Sequence, residues 1–202
     1  MNYPNFFDQA PVIILRDPLS ELLGAFDDGL VRFSYLDAVK LAGHSCPTVA
    51  GAFLMTAKAL QELYPNDTPI RGNIKVAFKD SIEDGVTGVI ANVISLITGA
   101  THKSGFKGLK GNFARHSLMD FETPINASVR FTRTDTGKSA DLFYNPDIIK
   151  TDPKQLQLMK KIISNEANTD EKNQFGVLWQ ARVKKIFDNA NNEELLKVGI
   201  LS

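Results

Sequence analysis

Apolar positions along this chain alternate between a period near 3.6 and a period of two, and the changes of period divide it into elements. The strongest helical block is 46–64, where Val49, Ala50, Phe53, Leu54, Ala57, Leu60 and Tyr64 fall on one side. Ala50, Gly51 and Ala52 are small, so a neighbouring group can approach the first turns closely. Pro65-Asn66-Asp67 stops this helix, and Ile74, Val76 and Phe78 then alternate with Lys75 in a strand with one buried face. Residues 85–98 carry Val86, Val89, Ile90, Val93, Ile94, Leu96 and Ile97, which predicts a helix buried on most sides. Strands are expected around 113–120, 127–133 and 139–144, the last two joined by the Asp135-Thr136-Gly137-Lys138 turn.

Upstream, the pattern predicts a short apolar segment at 12–15, a helix opened by Asp17-Pro18 and closed near Gly24, a strand at 30–33, and a short helix at 35–42. Between 104 and 112, Gly105, Gly108 and Gly111 punctuate Lys107 and Lys110, an exposed loop. Beyond Pro153 two helical stripes appear: Leu156, Met159, Ile162 and Ile163, then Phe175, Leu178, Trp179, Val183, Ile186 and Phe187. The pattern divides the chain into an α+β domain over 1–150 and a C-terminal helical arm over 151–202. The arm's stripes must be buried on the main domain or on a second chain.

Composition narrows the class. At 202 residues with 43% hydrophobic side chains, the chain can build a sizeable core. Lys plus Arg and Asp plus Glu number 23 each, so nothing favours nucleic acid or an anionic membrane as partner, and little charge repulsion opposes self-association. The expected partners are therefore a second copy, most simply in a homodimer, and a small-molecule ligand. The single cysteine cannot form an internal disulfide, which fits a reducing compartment. The opening MNYPNFFDQ has neither the basic start nor the apolar run of a secretory signal, and the most apolar stretch is too short to span a bilayer, so the expected location is the cytoplasm.

The chemistry concentrates at Gly43-His44-Ser45-Cys46-Pro47, directly before the strongest helix. Pro47 suits the first helical position, which makes Cys46 the N-cap, where free N–H groups and the helix dipole favour a thiolate. A thiolate and an imidazole two residues apart are natural ligands for a zinc-like divalent metal. The same pair also suits a metal-free enzyme in which Cys46 is the nucleophile and His44 its base. In a third reading the segment is a structural turn in a ligand-binding or interaction module. Asn92, the one strongly polar residue within 86–97 that can both donate and accept, is a candidate cofactor-binding group. His116 falls on an expected strand. No Gly-x-Ser-x-Gly, His-Glu-x-x-His or phosphate-loop pattern is present.

The order helix, strand, helix, three strands, opened by GHSCP, resembles the FmdE-like family of formylmethanofuran dehydrogenase components over roughly residues 10–145. That family carries a Gly-His-x-Cys-Pro segment before a long helix and a second block ending Thr-Gly-Cys-Thr, in whose place this chain has Thr98-Gly99-Ala100-Thr101. The resemblance implies an α+β fold with a small mixed sheet, of the class seen in the catalytic domain of glyceraldehyde-3-phosphate dehydrogenase. Many family members also end in a Cys-rich zinc finger, whereas here the two-helix arm stands in that region. His44 and Cys46 are the residues the resemblance carries over. Because Ala100 replaces a thiolate, His102 becomes the candidate third ligand, and with it the expected shell is His44, Cys46 and His102. Solvent, a backbone group or a second copy of the chain would fill what remains.

Overall fold

The structure, a computed structural model, describes residues 2–201. A short 3₁₀ segment at Asn5–Gln9 precedes a small antiparallel ribbon of β1 (Ile13–Arg16) and β2 (Leu30–Phe33), bridged by α1 (Pro18–Leu22). Asp17 opens α1 by accepting the N–H groups of Leu19 and Ser20, the cap its sequence predicts. Helix α2 (Tyr35–Ala42) leads to Gly43, whose φ of 74° ends it in the left-handed conformation that a side chain disfavours. The chain then enters α3 (Pro47–Leu63), β3 (Ile74–Phe78) and α4 (Thr87–Thr98).

Three further strands follow: β4 (Met119–Asp120), β5 (Val129–Arg133) and β6 (Ser139–Tyr144). Helices α5 (Pro153–Ile163) and α6 (Thr169–Asp188) come next, and β7 (Leu196–Leu201) ends the described chain. The main sheet runs β4-β3-β5-β6-β7, with β3 and β4 parallel and the other neighbours antiparallel. This is the expected α+β fold with a small mixed sheet.

Helix α3 is the centre of the core. Eleven of its residues are buried, including Val49, Phe53, Met55, Leu60 and Leu63, and it packs against β6, α4, α6 and α2. Burying side chains of this size contributes roughly 1.5–3 kcal/mol each, which fixes the helix on the sheet. The small residues of its first turns admit a ring, as expected. A Cβ built on Gly51 would lie 2.2 Å from Cε1 of Tyr144, whose hydroxyl donates to Pro47 O at 2.8 Å.

Several sequence expectations change here. Helix α4 is not buried on most sides: it packs mainly on α3 and α2, and Asn92 and Val86 are exposed. The strand expected across 113–120 shrinks to Met119–Asp120, because Phe113 and Ser117 have φ of 61° and 55° and Arg115 turns inward. His116 therefore sits in a turn and is not on a strand. After residue 151 the chain is not helical throughout: Leu196–Leu201 returns to the sheet and pairs with β6 along its whole length. In the arm, Leu158 and Gln155 face inward together with Val183 and Ile186, whereas Leu156 and Ile163 of the expected stripe point to solvent.

Candidate functional site

The 43–47 segment is held from both sides. Ser45 is buried and shares a 2.9 Å hydrogen bond with the Tyr35 hydroxyl at the start of α2. Its carbonyl accepts two donors from α6, Trp179 Nε1–H at 2.8 Å and Gln180 Nε2–H at 3.2 Å. Those bonds tie the arm of the same chain to the head of α3 and leave part of the Trp179 ring facing a hollow.

Cys46 is the N-cap, as its place before Pro47 predicts. Its backbone is extended and its Sγ accepts the Val49 N–H at 3.4 Å. The thiol is 8% exposed, beneath the phenols of Tyr35 and Tyr144. Burial holds both phenols well above the ordinary tyrosine range, and the nearby Cys46 adds to the upward push on each. They are neutral hydrogen-bonding groups at physiological pH.

His44 is exposed, and its Nδ1–H donates to Ala42 O at 2.9 Å. In the neutral ring that bond leaves the Nε2 lone pair free. No hydrogen bond joins the His44 ring to the Cys46 thiol among the described residues. A nucleophile with its base already engaged is therefore not assembled here.

Two hollows flank this head of α3. One, of about 350 Å³, lies between the starts of α3 and α4 and is lined by Thr48, Asp80, Thr87, Ser128 and Tyr144. The other, of about 430 Å³, is lined by His44, Met159, Phe175, Trp179 and Gln180. Both fall within the volume range of small-molecule sites.

A family model described as "FmdE, Molybdenum formylmethanofuran dehydrogenase operon" matches residues 41–197, well over half of the chain and including the whole 43–47 segment. The chain belongs to the FmdE family. No curated protein matches it. Among solved structures, an FmdE-like protein of tungsten formylmethanofuran dehydrogenase type from Syntrophus aciditrophicus is similar at 12% identity and a TM-score of 0.42, over 84% of this chain and 73% of that one.

Within this FmdE-family chain the expected ligands are placed unequally. His44 and Cys46 stand two residues apart at the head of α3. His102 is half-buried, with its ring edge-on to Phe121 at 5.5 Å. No three His, Cys, Asp or Glu side chains among the described residues come together as a metal-holding group. The donors fit zinc in kind, a soft sulfur and an imidazole, but fall short of a structural shell in number. Asn92 does not need a bound partner, because its amide is in solvent.

The FmdE-family chain also holds groups that its sequence does not announce. Tyr35, Ser45 and Tyr144 shape the surroundings of Cys46, and Trp179 with Gln180 fixes the Ser45 carbonyl. The only advance signal was the run of small residues at 50–52, which Tyr144 fills. No helix among the described residues is long and apolar enough to cross a membrane.

Proposed function

We propose that this FmdE-family protein binds a zinc-like divalent metal at the head of α3, in an open site with His44 and Cys46 as its protein ligands, and presents that metal to a small-molecule ligand. The observation that carries the proposal is the bond from His44 Nδ1–H to Ala42 O. Metal-binding histidines characteristically spend one ring nitrogen on such a partner, which fixes the tautomer and offers the other nitrogen to the metal. The second donor, the Cys46 sulfur, sits at a helix N-terminus that favours negative charge.

When bound, the metal supplies Lewis acidity at a site with open positions. The chain's own residues do the rest: Ser45 and Tyr35 brace the turn, Trp179 and Gln180 hold its carbonyl, and the flanking hollows receive the ligand. The reading includes self-association through the arm, since Leu156, Ile163 and Val177 are 54%, 73% and 70% exposed. It also places the protein in the reducing cytoplasm, where a lone thiol stays available.

Metal content decides the matter. Protein purified without an affinity tag and equilibrated with zinc at neutral pH should hold about one ion per chain. Cys46→Ser and His44→Gln should each lose most of it. A wild-type protein that stays metal-free under these conditions would refute the metal site.

A further inference from the structure

At the end of α4 opposite the Thr87 hollow lies a second polar cavity of about 430 Å³, lined by Arg71, Arg115, Asn73, Asn112 and Thr134 together with the backbone of Phe113 and Ala114. No carboxylate lines it. Behind it, Arg71 and Arg115 share one buried acid: Arg71 donates to Asp17 Oδ2 at 2.9 Å and Arg115 to Asp17 Oδ1 at 2.6 Å. Two guanidinium groups against one carboxylate leave a positive charge in excess.

The two arginines are not equally engaged. Arg71 also donates Nε–H to Ile97 O and Nη2–H to Leu96 O, both at 3.0 Å, and so caps the carbonyl end of α4. Arg115 gives only Nη2 to Asp17 among the described residues, although the residue is 7% exposed. Its Nη1 lies against Gly72, where an added Cβ would stand 1.7 Å away, so the missing side chain is what seats the guanidinium. Burial, with Arg71 nearby, holds Arg115 below the ordinary arginine range, as expected of a cation short of counter-charge.

The loop facing Arg115 supplies neutral donors. The N–H groups of Phe113 and Ala114 donate to no protein acceptor among the described residues. Lys110, Gly111 and Phe113 have φ of 48°, 87° and 61°, which curls this stretch of backbone. Successive N–H groups on a curled backbone form concavities that hold anions. A guanidinium fork beside them matches the planar or tetrahedral oxygens of an oxyanion.

We infer that this cavity binds a small oxyanion, the phosphate or carboxylate group of a diffusible ligand, held by Arg115 and the Phe113 and Ala114 N–H groups. The site is separate from the head of α3 and does not depend on a metal there.

The test is titration of the full, chelator-treated chain with inorganic phosphate, and separately with acetate, at ionic strength matched with chloride. Amide NMR shifts are the readout. Saturable shifts centred on Phe113 and Ala114 are expected with at least one anion. Phosphate alone would assign a phosphoryl ligand, and acetate alone a carboxylate. Asn112→Asp, a change at an exposed position, should weaken binding by about tenfold or more by setting a carboxylate at the mouth. Arg115→Met should abolish binding in whatever fraction folds. No saturable shift with either anion, shifts centred elsewhere, or unchanged affinity in Asn112→Asp would overturn the assignment.

Discussion

Gly51→Ala is a small change that tests how the head of α3 is built. The added methyl would lie 2.2 Å, 2.4 Å and 2.7 Å from Cε1, Cζ and Cδ1 of Tyr144, far inside contact distance. The ring has little room to retreat. Tyr144 ends β6 and pairs with Leu196 of β7, and its hydroxyl is bonded to Pro47 O. Overpacking of this kind costs about 1–3 kcal/mol, and displacing the hydroxyl costs about 1 kcal/mol more. Against that, alanine is favoured over glycine inside a helix by about 1 kcal/mol. The net expectation is a loss of about 1–3 kcal/mol in urea unfolding. The sign should reverse once the ring is gone: in a Tyr144→Ala background, Gly51→Ala should stabilise by about 1 kcal/mol. A Gly51→Ala protein at least as stable as wild type, or an equal penalty in both backgrounds, would refute the reasoning.

Asp17→Asn leaves two buried guanidinium groups without their carboxylate and should cost about 3–5 kcal/mol at neutral pH. Burial pushes the Asp17 carboxyl up, but the Arg71 bond, the Arg115 charge and the Ser20 N–H outweigh it and hold it below the usual range. Its contribution is therefore complete above the unfolded value of about 3.9 and is lost as pH falls through the lower folded value. The stability gap between wild type and Asp17→Asn should narrow below about pH 4 in acid-titrated melts, and a constant gap would contradict this account. Sedimentation at about tens of micromolar should show a wild-type dimer, with Val177→Asp or Ile163→Asp monomeric, and a wild-type monomer would remove the arm as an interface. Trp179 is a poor probe of that interface, since it is bonded within its own chain.

Most elements were legible because local patterns coincide with tertiary demands. Helix α3 combines an apolar stripe, Pro47 at its first position and a Pro-Asn-Asp stop; β5 and β6 flank a turn rich in Asp and Gly. Strand β7 was missed because Leu196, Val198 and Ile200 alternate over one short run beside Gly199, a signal that only pairing with β6 makes decisive. Asn92 misled because an apolar sequence says how hydrophobic a helix is, not how many neighbours cover it. His44 and Cys46 could be found from the sequence because they are adjacent. The Asp17, Arg71 and Arg115 cluster could not be found this way, since its members come from three distant segments and each reads as an ordinary surface charge.

The most direct test of the proposed site is cobalt(II) loading of the chelator-stripped, reduced protein, followed by absorption in the near ultraviolet. Cobalt occupies zinc sites, and a sulfur ligand gives it a thiolate-to-metal charge-transfer band. The account predicts that band in the wild type at about one cobalt per chain, its loss in Cys46→Ser, and weaker cobalt binding in His44→Gln. Cobalt that binds with no thiolate band, or a band that survives in Cys46→Ser, would contradict it.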